Sequence, residues 1–130
     1  MIRKWEEFPE GPRVVSRDMH VTLNRKGEIM IGAAAYERFG EPEMAKLYFD
    51  WDNKTIGVLP ANRSAKNAYP LKGKKEHYRH RTIRANRFCR AWGIHVPGTT
   101  AFNNPEIEDG MLVLNLKDAR VIGRVRDGIR

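Results

Sequence analysis

Short alternations of apolar and polar residues run along this chain, and no long amphipathic helix is indicated. The alternation over residues 19–23 has the period of a half-buried strand. A turn at 24–27 follows, in which Gly27 is free to adopt a positive φ, and Ile29 and Ile31 then alternate again. The pattern therefore predicts a β-hairpin over 19–31.

A short helix and a second hairpin are predicted next. Residues 33–39 place Ala35, Tyr36 and Phe39 on one face of a two-turn helix. Gly40 is a typical helix stop. Apolar stretches at 46–49 and 55–59 flank a polar turn, and a proline ends the second of them, so we expect a hairpin there as well.

The second half of the chain repeats this order with different residues. A helix is predicted at 86–92, ending at Gly93. The predicted strands of this half lie at 68–71, 82–85, 99–102 and 111–116. A shift of 52 residues places Ile31 on Ile83, and a shift of 53 places Gly40 on Gly93. The order predicts two pseudo-repeats with one short helix each, although hairpins and helices also alternate by coincidence in small α+β chains.

The length allows one domain, or two very small modules that share a core, because the chain has 130 residues. Its 41% hydrophobic residues can supply that core. We expect a β-rich α+β fold with an N-terminal arm, a first unit, a polar linker, a second repeat and a basic C-terminal tail, at 1–18, 19–61, 62–67, 68–118 and 119–130. Trp5 and Phe8 are expected to anchor the arm.

Positive charge is concentrated in one segment. Residues 63–90 contain ten Lys or Arg and one acidic residue, a net of +9. The other 14 basic and 15 acidic residues give −1, which accounts for the overall charge of +8. Such asymmetry indicates a polyanionic partner, most simply nucleic acid. A basic surface that serves only solubility is the alternative.

Several other classes of function lack support in the sequence. Cys89 is the only cysteine, and the spacing of His77 and His80 has no carboxylate ligands beside it, so we expect no disulfide, metal site or cofactor. No arrangement of nucleophile and base indicates an enzyme. No apolar run approaches the roughly 18–20 residues of a membrane helix, and the charged start 1–10 lacks an apolar signal core. A cytoplasmic protein without a membrane partner is therefore expected.

One stretch resembles a known family. Residues 21–32 read VTLNRKGEIMIG and are followed by a short helix that ends in Phe39 and Gly40. This segment resembles the AbrB/MazE-type swapped-hairpin DNA-binding domain, over about residues 19–61. Gly32 stands where the family usually has proline. Two such units in tandem would resemble the MraZ-type regulators, although the second half lacks the Lys-Gly turn.

The resemblance implies a swapped-hairpin β-barrel that presents basic loops to duplex DNA. Matching the motif residue by residue assigns the contact to Asn24, Arg25 and Lys26. It further implies a transcriptional regulator, or an antitoxin-like autoregulator with a protein partner. An isolated hairpin is only marginally stable in water, so the halves must pair. A monomer follows if both halves share one core; otherwise two chains pair, and we expect the homodimer.

A second basic group lies in the predicted loop 72–81 and the helix after it. Phe88 and Trp92 fall on the apolar side of that helix and should pack. The candidate nucleic-acid-binding residues of this group are Lys72, Lys74, Lys75, Arg79, Arg81, Arg84, Arg87 and Arg90. Arginines near Tyr69 and Tyr78 would also suit RNA. The alternative function is a non-catalytic interaction or structural protein whose basic face binds an acidic partner.

Overall fold

The computed structural model describes residues 2–9, 19–73 and 80–123. Ten strands and two helices lie within them. The strands are β1 (Val21–Leu23), β2 (Glu28–Ile31), β3 (Met44–Asp50), β4 (Thr55–Ala61), β5 (Tyr69–Pro70), β6 (Arg81–Arg84), β7 (Thr100–Phe102), β8 (Glu106–Glu108), β9 (Met111–Asn115) and β10 (Ala119–Val121). The helices are α1 (Ala33–Arg38) and α2 (Asn86–Trp92).

These strands form two five-stranded antiparallel sheets. The first has the order β10-β7-β1-β2-β6, and the second has the order β5-β3-β4-β9-β8. The prediction of a β-rich α+β fold is confirmed. Among the residues that the structure describes, the strands do not join into one closed barrel.

Strands from both halves of the chain pair with each other in each sheet. In the first sheet β2 pairs with β6, with Ile29 opposite Ile83. In the second sheet β4 pairs with β9, with Ile56 opposite Leu114. All four side chains are fully buried. The two halves of one chain thus share a single core, and the expected homodimer stays a prediction.

Both helices pack part of their apolar face on the core. Ala35 and Tyr36 of α1 are buried, and the Tyr36 hydroxyl donates a hydrogen bond to the Pro42 carbonyl oxygen at 2.7 Å. In α2 the buried residues are Phe88 and Cys89. Both helices are too short to be stable alone, so this burial holds them in place.

Three expectations about burial are wrong. Trp5 and Phe8 do not anchor the N-terminal arm, because both side chains are mostly exposed and residues 2–9 form no helix or strand. Trp92 is 42% exposed instead of lying in the core. Thr22 alternates with Val21 and Leu23 and would lie on the solvated side of a half-buried strand, but it is also buried, so both faces of β1 are covered.

The chain after residue 105 contains two strands that the pattern did not predict. β8 has three exposed residues, and β10 has one half-buried and two exposed residues. Neither therefore shows the apolar alternation that marks a strand. Since β10 pairs with β7, the predicted tail 119–130 begins as part of the first sheet. Residues 10–18 of the arm and 124–130 of the tail lie outside the described residues.

Candidate nucleic-acid interface

The turn between β1 and β2 is organised by the side chain of Asn24. Its Oδ1 accepts hydrogen bonds from the backbone N–H groups of Lys26 and Glu28, both at 3.0 Å. Its Nδ2 donates to Glu28 Oε1 at 2.9 Å. Asn24 therefore shapes the turn, and its predicted contact with DNA stays a prediction. Arg25 and Lys26 project from this turn and are exposed.

This turn is docked on the start of α2. The Ala85 N–H donates to the Gly27 carbonyl oxygen at 2.9 Å. A Cβ built on Gly27 would lie 2.8 Å from the Asn86 Cα, so only glycine allows this approach. Gly27 also has φ +80, a conformation that other residues rarely adopt. Two basic groups that lie about 60 residues apart in the sequence are thereby brought together.

A cleft of about 350 Å³ lies between the turn and the helix, and we call it the basic cleft. Arg25 and Lys26 contribute from the turn, and Arg90 contributes from α2. The remaining lining residues are Leu23, Asn24, Gly27, Asn86, Cys89, Ile94, His95 and Val96. None of these described lining residues carries a carboxylate. The cleft therefore has the charge that attracts a phosphate.

Two further predicted cations lie beside this cleft. Arg84 ends β6 directly opposite Glu28, at the end of the strand pair nearest the turn, and its side chain is exposed. Arg87 is exposed on α2 three residues before Arg90, so the two side chains share one helix face. The structure thus brings Arg25, Lys26 and Arg90 together at the cleft, while Arg84 and Arg87 lie on the adjoining β6 and α2.

The other predicted cations lie elsewhere or are not described. Arg81 is opposite Ile31, at the far end of the β2–β6 pair, about 10 Å along the strand from Arg84. Its guanidinium lies over the ring of Tyr36, 4.7 Å from the ring centroid. Lys72 is exposed, and its backbone pairs with Thr82, next to Arg81 at the far end of the β2–β6 pair. The candidates Lys74, Lys75 and Arg79 lie outside the described residues, as do His77 and Tyr78.

An aromatic cleft of about 410 Å³ adjoins the basic cleft, and it was not predicted from the sequence. It contains Phe49 from β3, Trp51 from the β3–β4 turn and Trp92 from α2. Phe49 lies 5.4 Å from Trp92, and Trp51 lies 6.3 Å from Trp92, between ring centroids. Both clefts share the segment 94–96 as a wall. A tryptophan in a predicted polar turn was the signal that could have indicated this site.

The pKa values of one buried thiol and of two exposed carboxylates are shifted. Burial raises the pKa of the Cys89 thiol, which keeps it protonated and unreactive at neutral pH. The residues that the structure describes include no group of three His, Cys, Asp or Glu arranged to hold a metal ion. Hydrogen bonds from Asn53 lower the pKa of Asp50, and those from Asn103 and Asn104 lower the pKa of Asp118. Each of these carboxylates organises an exposed turn.

Comparison with known proteins adds no relative. No family model matches the chain, and neither the curated proteins nor the solved structures contain a significant match. The two described helices are also too short to cross a membrane.

Proposed function

We propose that this protein binds duplex DNA through the Arg25–Lys26 turn and the exposed face of α2, as an AbrB-like transcriptional regulator. The observation that carries the proposal is the basic cleft, where a hairpin turn and a helix from opposite halves of the chain place their cations together. A surface serving only solubility would not require these groups to converge.

The chemistry of these cations suits DNA. Lys and Arg pair with phosphates, and an arginine that reaches the major groove can bind guanine through two parallel hydrogen bonds. Arg25 and Lys26 sit on a turn fixed by Asn24 and by the glycine contact with α2, so their backbone is already ordered before binding. The entropy cost of forming the complex is then smaller.

The resemblance of residues 21–32 to the AbrB/MazE-type domain supports a regulator over the alternative of an interaction or structural protein. The β2–β6 pair and the hydrogen bond from Ala85 to Gly27 hold the turn that carries Arg25 and Lys26 within one chain. A tandem unit of the MraZ type would use the two halves in this way. Autoregulation of its own operon, as antitoxins of the resembled family perform, is the regulatory role we propose.

Retardation of DNA tests this proposal. The purified protein should retard a fragment of its own promoter more strongly than a scrambled duplex of equal length, in competition with unlabelled bulk DNA. Equal retardation of both would contradict the regulator. Failure to retard either at low salt, with tight binding to RNA or to an acidic protein instead, would contradict DNA binding itself.

A further inference from the structure

We propose that the aromatic cleft holds an unpaired nucleobase of the DNA strand whose duplex portion lies on the basic cleft. This inference rests on the proposed function and extends it to a second subsite. The two tryptophans of this cleft are solvent-exposed: Trp51 is 55% exposed and Trp92 is 42% exposed. Large apolar rings left in water beside a charged site are typical of a binding surface.

The size and shape of the cleft fit a planar ring. Its volume of about 410 Å³ exceeds that of a single base and leaves room for the attached sugar. The rings of Trp51 and Trp92 are tilted by only 38°, with centroids 6.3 Å apart. The ring of Phe49 packs against those of Trp51 and Trp92, and also against the core residue Phe88. The site is thus anchored to the fold.

The charge of the cleft selects an anionic ligand over a cationic one. Aromatic clusters also bind ammonium groups, but here Lys54 already places its Nζ 3.3 Å from the centroid of the Trp51 ring. Lys117 and His95 line the same cleft, and none of its described lining residues is acidic. A second cation would be repelled. A base that carries a phosphate would stack on the rings and place its negative charge among these groups.

The position of the cleft connects it to the duplex site. Residues 94–96 form a wall of both clefts, and α2 contributes Arg90 to one and Trp92 to the other. A strand that leaves the duplex at the basic cleft would therefore reach the tryptophans within a few nucleotides. The expected ligand is a junction between duplex and single strand, in which the first unpaired bases stack on aromatic side chains.

The test compares three DNA ligands by fluorescence anisotropy. The first is a blunt duplex, the second carries a short single-stranded thymine extension, and the third carries an abasic extension with the same number of phosphates. The parent protein should bind the thymine extension at least about fivefold more tightly than the abasic one, because stacking of one base contributes about that much. The phosphates are matched, so only the bases can give this preference.

Variants locate the preference on the cleft. Trp51→Ala should abolish the preference for thymine over abasic, while Trp51→Phe should keep most of it. Trp5→Ala is the matched control, since Trp5 is 84% exposed and lies outside the cleft lining. Circular dichroism of Trp51→Ala would establish that the variant is folded. An unchanged preference in folded Trp51→Ala would overturn the assignment.

The remaining outcomes separate this inference from the proposed function. Equal binding of the thymine and abasic extensions by a parent protein that still holds the blunt duplex overturns the base subsite alone. No binding of any of the three ligands at low salt overturns the proposed function and the subsite with it. Displacement of the thymine-extended DNA by thymidine monophosphate, at concentrations below that of the DNA, would assign the cleft to a free nucleotide. That result would also overturn the base subsite.

Discussion

Gly27 approaches α2 so closely that a Cβ on it would lie 2.8 Å from the Cα of Asn86. This approach sets the position of Arg25 and Lys26 relative to the helix. The glycine is therefore needed for two reasons, its φ of +80 and its lack of a side chain.

Replacement of Gly27 by alanine should lower the free energy of unfolding by about 2–4 kcal/mol, because strained backbone and a steric clash add. Gly110 is the matched control: it has φ +79, and nothing lies within 4 Å of its Cβ position. Gly110→Ala should cost only about 1 kcal/mol. Urea unfolding of both variants measures the difference. Equal destabilisation of the two variants would show that the close approach to Asn86 contributes nothing.

The local elements of the candidate site could be predicted from the sequence. The turn before Gly27 follows from turn-forming residues between two apolar alternations. The bounds of α2 follow from its apolar face and from Gly93, which ends the helix in the left-handed conformation with φ 66. Each of these features depends on residues that are near one another in the chain.

The long-range features could not be predicted in the same way. The sequence contains no local sign that the turn docks on α2, because Gly27 and Asn86 are brought together only by the pairing of β2 with β6. The aromatic cleft likewise combines Trp51 and Trp92 from different halves. Exposed strands such as β8 lack the alternation on which the prediction of strands depends.

The two aromatic residues of α2 should differ in their effect on stability. Phe88 is buried, whereas Trp92 is 42% exposed. Phe88→Ala should therefore cost about 3–5 kcal/mol. Trp92→Ala should cost less than half as much, because it removes mainly ring packing on the surface. Thermal unfolding of both variants checks the order, and a larger destabilisation by Trp92→Ala would contradict the described packing.

The stability of the protein should fall in acid partly through Asp118. Its carboxylate accepts hydrogen bonds from Asn103 Nδ2 at 2.9 Å and from Asn104 Nδ2 at 2.7 Å, which lower its pKa from 3.8. A pKa lowered in the folded state gives stability that is present above pH 3.8 and disappears as the pH falls through the folded value. The melting temperature should decline less steeply below pH 3.8 in Asp118→Asn than in the parent. Asp52→Asn, in an exposed turn, is the control and should retain the parent's decline.

Charge removal at the turn tests the central claim, that the basic cleft binds DNA. Arg25→Ala with Lys26→Ala removes two exposed cations and should change the free energy of unfolding by less than about 0.5 kcal/mol. The matched control is Arg63→Ala with Lys66→Ala, which removes the same charge outside both clefts. Arg63 forms an exposed ion pair with Glu43 at 2.6 Å, and such pairs contribute little to stability. Arg87→Ala with Arg90→Ala should behave like the turn variant.

The decisive measurement is the affinity of these variants for duplex DNA across a salt series. Removal of each cation that pairs with a phosphate should reduce the slope of log affinity against log salt by about one unit. The turn variant should therefore bind more weakly than the parent, with a slope smaller by about two. The Arg63 and Lys66 variant should keep the parent's affinity and slope. If the folded Arg25→Ala, Lys26→Ala protein binds with the parent's affinity at low salt and with the parent's slope across the series, the basic cleft does not bind DNA.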